Sequence, residues 1–228
     1  MADQRWETTE FLGCDGAEQA VQFLNDADRQ GPGEASATLR HDGSAGLIYL
    51  TPGSLGTSTA QTWILKQLPG PDGGQVAVQL LNGADRQGPG EASASLRGDG
   101  TAGLIFLAPG SQGLTTEYTW YLFEPSAPDG AEQVVQFLNE NGQGAGQASV
   151  TAPSDGSARL MYLGPGSLGT GTALTWRTRE FASAQDAVDF LNGPGLDQPG
   201  PGEAVAWLPG DGNGAVIFYL VNAGIIHP

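Results

Sequence analysis

"RWETTEF", Arg5 to Phe11, opens the chain with a phrase that returns near its end as "TWRTREF", Thr175 to Phe181. Related Trp-centred stretches lie between them, so tryptophans fall at Trp6, Trp63, Trp120 and Trp176, spaced 57, 57 and 56 residues. Asparagines closing phrases of the "AVQFLN" type fall at Asn25, Asn82, Asn139 and Asn192. Asp-Gly pairs recur at Asp42-Gly43, Asp99-Gly100, Asp155-Gly156 and Asp211-Gly212. Three independent markers that keep one order and nearly one period are the signature of tandem structural units. The chain therefore reads as one domain, 1–228, built of repeats 6–62, 63–119, 120–175 and 176–228.

Each repeat begins with the Trp strand, as in "QTWILKQL" (61–68). A segment such as "DGAEQAVQFLN" follows, opening on Asp15/Glu18, Asp72/Gln75, Asp129/Glu132 or Ser183/Asp186. This spacing predicts a capping box, in which each side chain of the pair bonds a free amide of the first helical turn. Ala17, Ala20, Val21 and Leu24 then lie on one face of a short helix. "QVAVQLLN" also alternates like a strand, and helix is the preferred reading. "EASATLR" alternates Ala35, Ala37 and Leu39 with Ser36 and Thr38, the period of a half-buried strand. An Asp-Gly turn leads into "AGLIYL" (45–50), apolar without alternation and so expected to be covered on both faces.

A unit of about 57 residues buries too little alone, so neighbours must share a core. After "VIFYL" the chain carries no further Trp strand, whereas the N-terminus begins with one. The expected fold class is α+β and β-rich: four strand-helix-strand-strand repeats forming one closed pseudo-four-fold domain, with the N-terminal strand completing the last repeat. Closure would remove exposed sheet edges. A four-bladed β-propeller-like arrangement and an open repeat array are the alternatives.

Composition narrows the function. The 36 Gly and 15 Pro sit in loops between patterned apolar runs, which argues against a disordered chain. A net charge of −16 repels phosphate backbones and anionic lipid, so nucleic acid and membrane are unfavoured partners. The N-terminus lacks the basic and apolar regions of a signal peptide, and no apolar run approaches the roughly 20 residues of a membrane span. A cytoplasmic location is expected, with non-classical release left open.

Chemistry-bearing residues are sparse. His41 and His227 do not recur between units, and Cys14 has no neighbouring base in the sequence. The Asp-Gly turns supply one carboxylate each, too few for a calcium loop, and "GPGSLGTGT" neither opens a helix nor carries a Lys. These features point away from an enzyme, a metal site and a cofactor.

The Trp strands carry the binding expectation. Residues i and i+4 of a strand share a face, which pairs Trp6 with Glu10, Trp63 with Gln67, Trp120 with Glu124 and Trp176 with Glu180. Buried, each Trp is a core residue. Exposed, the ring and its polar neighbour would match the C–H face and hydroxyls of a sugar, repeated four times for avidity. The expectation is a non-enzymatic, multivalent, lectin-like protein with carbohydrate as ligand. The alternatives are a carrier holding a small apolar molecule in an aromatic-lined cavity and an assembly protein with a protein partner. Arg29 and Arg86, and Arg40 and Arg97, also correspond between the first two units.

Overall fold

The apolar strand of every unit takes hydrogen bonds on both edges from strands of its own unit. The computed structural model describes residues 4–26, 29–55, 60–83, 86–112, 118–125, 128–153, 155–168, 173–193, 199–209 and 214–222. Unit 1 comprises β1 (Arg5–Phe11), α1 (Gly16–Leu24), β2 (Ala35–Leu39) and β3 (Ala45–Thr51). Unit 2 comprises β4 (Thr62–Leu68), α2 (Gly73–Leu81), β5 (Ala92–Leu96) and β6 (Ala102–Ala108). Unit 3 comprises β7 (Thr119–Phe123), α3 (Gly130–Glu140), β8 (Ala148–Thr151) and β9 (Arg159–Gly164). Unit 4 comprises β10 (Leu174–Phe181), α4 (Ala184–Leu191), β11 (Ala204–Trp207) and β12 (Ala215–Asn222). The α+β repeat and the helical reading of "AVQFLN" both hold.

Each unit forms an antiparallel sheet, ordered β1-β3-β2, β4-β6-β5, β7-β9-β8 and β10-β12-β11. This corrects the expected role of the N-terminal strand. β1 pairs within unit 1, Trp6 opposite Leu50, and does not complete the last repeat. β12 has no edge to offer it, because β10 and β11 already occupy both sides.

The unalternating apolar strands have two buried faces. In β3, Leu47 and Tyr49 join a core cluster with α1, whereas Ile48 and Leu50 join another with unit 4. Every cluster spans two units, because each Trp enters the core of the preceding one. Trp63 shares a cluster with Ala17, Ala20 and Leu24, Trp120 with Ala77 and Leu81, and Trp176 with Val134 and Leu138. Trp6 does the same with Ala187, Val188 and Leu191 of unit 4.

Two of the sequence markers are partners. The Asn of each "AVQFLN"-type phrase, the helix C-cap in units 1, 2 and 4 and a last-turn residue in unit 3, bonds the backbone of the next Trp through both amide atoms. Asn25 accepts from Trp63 N at 2.8 Å and donates to Trp63 O at 2.9 Å, and Asn192 treats Trp6 likewise at 2.8 and 2.7 Å. Edge-strand amide and carbonyl groups are thereby satisfied. Four backbone bonds also run from unit to unit: Gly33 N to Gly90 O, Gly90 N to Gly146 O, Gly146 N to Gly202 O, and Gly202 N to Gly33 O. All four glycines have φ between 72° and 77°. At Gly33 a Cβ would stand 2.5 Å from Gly202 N, so neither the conformation nor the space admits a side chain.

The capping boxes need correction. Only Ser183 accepts from the Asp186 amide, at 3.1 Å. Asp15, Asp72 and Asp129 make no side-chain cap and have φ near −100° with ψ between 7° and 37°, outside the extended conformation an N-cap uses. Backbone carbonyls of the Asp-Gly turns replace them: Ala17 N donates to Gly43 O, Gly73 N to Gly100 O and Gly130 N to Gly156 O. The helix start is docked on the turn, and the turn does the capping.

Candidate functional site

The eight residues singled out on the Trp strands do not form exposed platforms. Trp6, Trp63, Trp120 and Trp176 are each 1–2 % exposed. Their indole Nε1 atoms donate to Pro199 O, Gln30 O, Gln87 O and Gln143 O of the preceding unit, at 2.7–2.9 Å. A ring enclosed in a neighbour's core with its only donor satisfied has no surface left for a sugar. The expected Trp–carboxylate sites are therefore corrected to core anchors, with Glu10, Gln67, Glu124 and Glu180 at the strand ends.

Three of these strand-end groups meet an arginine. Glu10 accepts from Arg40 Nη2 at 2.9 Å, Gln67 Oε1 from Arg97 Nη2 at 3.4 Å, and Glu124 from Arg159 Nε at 2.9 Å. Arg40 and Arg97 also cross to the adjacent unit, bonding Leu208 O and Arg40 O respectively. The correspondence of Arg40 and Arg97 in the sequence is thus structural.

The Asp-Gly aspartates close turns. Asp42, Asp99 and Asp155 each accept from the amide and hydroxyl two residues on, in Ser44, Thr101 and Ser157, at 2.6–3.0 Å. The hydroxyl bond, then the amide bond, holds each carboxyl below the usual aspartate range. Asp211 lies outside the described residues. Among the described residues no three His, Cys, Asp or Glu side chains gather as a metal-binding group.

The inner strands β2, β5, β8 and β11 contact one another in turn, β11 touching both β8 and β2. Between them small residues such as Gly33, Ala35, Ser36 and their counterparts leave about 20 Å³, so the axis holds no ligand-sized cavity among the described residues. At the C-terminal ends of these strands lies a depression of about 570 Å³. All four units line it: Leu39, Arg40, His41 and Asp42; Leu96, Arg97, Gly98 and Asp99; Pro153; and Trp207.

Trp207 is the residue that the repeat period conceals. Its pairing opposite Val216 matches that of Thr38 opposite Gly46, and the corresponding residues of units 2 and 3 are Ser95 and Thr151. Those three hydroxyls accept from backbone amides of the preceding unit: Thr38 from Leu208, Ser95 from Leu39 and Thr151 from Leu96. In unit 4 an indole stands in their place. It is the one tryptophan of five that is not buried. The signal available in the sequence was that Trp207 breaks the 57-residue spacing at a position otherwise held by Ser or Thr.

The rim of this depression is polar. His41 Nε2 lies 3.6 Å from Asp99 Oδ2, bringing units 1 and 2 together. Burial lowers the pKa of Arg97, and its buried Nε has no hydrogen-bond partner. The lining carries no hydroxyl or thiol nucleophile beside His41. Cys14 is exposed, with its Sγ 3.4 Å from Asp15 Oδ1, and does not line the depression. His227 lies outside the described residues. Chemically the site offers an aromatic wall, an apolar floor and a rim of donors and acceptors.

Comparison with protein-family models, with curated proteins and with solved structures finds no match to the chain. No helix of the described residues is long and apolar enough to cross a membrane.

Proposed function

We propose that the four units act as one closed, pseudo-four-fold, non-enzymatic binding domain whose ligand sits in the depression at Trp207. The glycine hydrogen-bond cycle and the Asn192–Trp6 contact support closure, since they join units 4 and 1 as the other units are joined. One observation carries the binding reading: the only unburied tryptophan replaces a Ser or Thr of the repeat at a depression lined by every unit. On this reading the site is single, not multivalent, because a site shared by all four units occurs once.

Carbohydrate is the first ligand class. Its C–H face would stack on Trp207, Asp42 and Asp99 would accept from its hydroxyls, and Arg97 and His41 would donate. A small apolar ring compound is the second class, favoured by Leu39, Leu96 and Pro153 in the lining. Acrylamide quenching tests the premise, because only Trp207 should be quenched in the native protein and Trp207→Phe should abolish the quenched component. Titration with a panel of mono- and oligosaccharides, and of small aromatic compounds, should then move the Trp207 emission. A native spectrum that responds to neither panel would remove the proposal.

A further inference from the structure

The unit 3–unit 4 junction differs from the other three in a way that specifies a ligand. At each junction the residue four after the Trp sits at a strand end: Glu10, Gln67, Glu124 and Glu180. In three of them a guanidinium occupies the gap beside it. Arg40 and Arg97 reach there from the end of the inner strand, passing over Gly46 and Gly103. In unit 3 the inner-strand position is Pro153, and Arg159 instead rises from the position of Gly46, opposite Glu124. The arginine has changed strand but its charged end has kept its place.

At the fourth junction both positions have lost it. Pro209 stands where Arg40 and Arg97 stand, and Val216, which pairs with Glu180, stands where Arg159 stands. Arg179 does not substitute, because it follows the alternate face of β10. Its guanidinium carbon lies 4.8 Å from the Phe190 ring centroid and 5.4 Å from that of Phe181. The result is a groove of about 740 Å³, against about 150 Å³ at the unit 2–unit 3 junction where Arg159 is present. Glu180, Asp129 and Glu132 line it together with Arg179, whose guanidinium is held against the Phe190 and Phe181 rings, and the buried Thr178 Oγ1 has no hydrogen-bond partner. The protein as a whole is strongly acidic, with 25 Asp and Glu against 9 Lys and Arg.

We propose that this groove binds the side chain of an arginine residue presented by a peptide segment of a partner protein, in the place that Arg40, Arg97 and Arg159 fill from within. The groove adjoins the depression at Trp207, since Pro153 lines both and Val216, in the groove, pairs opposite Trp207. Glu180 takes the guanidinium as Glu10 and Glu124 take theirs, the planar fork matching carboxylate where an ammonium does not. Asp129 and Glu132 add long-range attraction, and the volume beyond one side chain accommodates flanking backbone.

The probe is a capped pentapeptide, Gly-Ala-Arg-Ala-Gly, compared with its lysine and citrulline counterparts by calorimetry or by chemical-shift titration of the full chain. Binding of the arginine peptide should weaken about tenfold in Glu180→Gln and by a similar factor on replacing Arg with Lys. Citrulline should not bind. Val216→Arg places an internal guanidinium where Arg159 has one and should abolish peptide binding. Because Val216 pairs opposite both Glu180 and Trp207, retention of the fold in this variant is read from its far-UV circular dichroism and not from the Trp207 emission. Unchanged urea midpoints in Glu180→Gln, whose side chain is exposed, separate loss of binding from loss of fold. Equal affinity for the arginine and lysine peptides would mark the effect as general attraction to an acidic surface and overturn the proposal. So would an arginine peptide that fails to bind, or one that binds Val216→Arg as it binds the wild type.

Discussion

Replacing Asn192 by Ala asks whether the first and last units are held as the others are. The amide of Asn192 accepts from Trp6 N at 2.8 Å and donates to Trp6 O at 2.7 Å. Asn82 makes the same pair with Trp120, both at 2.8 Å. Each bond contributes about 1 kcal/mol net, and the partly buried Trp amide and carbonyl left behind add a desolvation penalty. The loss is therefore about 2–4 kcal/mol for either variant. With a urea slope of about 2 kcal/mol/M, the midpoint should fall by about 1–2 M. Urea titration of wild type, Asn82→Ala and Asn192→Ala, followed by Trp fluorescence, measures all three at once. Equal shifts mean that the unit 4–unit 1 junction bears the same load as an internal one. If Asn82→Ala shifts and Asn192→Ala unfolds at the wild-type midpoint, the chain is an open array and the reasoning is refuted.

Two further outcomes follow from buried polar groups. Glu34 is buried, its Oε2 accepting from Gly31 N and Ser54 N and its Oε1 from Gln4 Nε2 at 2.7 Å, whereas unit 3 has Gln147 with Tyr118 in the place of Gln4. Glu34→Gln alone turns an amide donor toward the Gln4 donor and should cost about 1–3 kcal/mol; adding Gln4→Tyr should recover most of it in thermal melts, and equal costs in both backgrounds would break the coupling. Burial, assisted by the Glu7 carboxylate, pushes the Tyr49 phenol up to about 12. The folded state thus keeps this proton where the unfolded chain, near 10, has lost it, so the stabilisation is complete below about pH 10 and declines as pH rises toward 12. Burial likewise raises Tyr162 and Tyr219, so Tyr49→Phe should lessen, not remove, the fall in urea midpoint between pH 9 and pH 11. An undiminished fall would rule out the Tyr49 contribution.

The repeat, the helix and the strands were legible because each rests on local periodicity that any one unit displays. Trp and Asn were legible as markers but not as partners, since each Asn bonds the Trp of the following unit, 37 or 38 positions away or, for Asn192, 186. Whether a Trp is core or platform depends on what the neighbouring unit supplies. Here it supplies a carbonyl for the indole and a helix for the ring, neither visible from the Trp strand alone. The capping boxes failed for a related reason. Asp15 has the side chain for a cap, but Gly16 packs against Phe11 O and Ser44 Cα so closely that the backbone of the Asp-Gly turn reaches the helix amides first. Unit 4, with Ala184 instead of Gly, keeps the side-chain cap.

The departures from repetition converge on unit 4, and most of them on its contact with unit 3. Ser36, Ser93 and Ser149 give hydroxyls to the neighbouring strand, whereas unit 4 has Val205. Thr38, Ser95 and Thr151 do the same, whereas unit 4 has Trp207. Neither Val nor Trp can accept a hydrogen bond from an amide, so this junction replaces polar stitching by apolar contact, and Val205 and Trp207 join the unit 3 core cluster. The same junction lacks an arginine at Pro209 and Val216 and opens into the groove of about 740 Å³. A structural requirement common to four equivalent junctions would keep the same residues at all of them. Three suffice to show what the scaffold needs, namely a hydroxyl pair and a guanidinium. The fourth has given up both and in their place presents an unburied indole on one side and an unneutralised carboxylate on the other. Pro153 lines both the depression at Trp207 and the groove at Glu180, so the two sites adjoin across a single residue. Both proposals thus place the binding chemistry on the residues in which the repeat is broken.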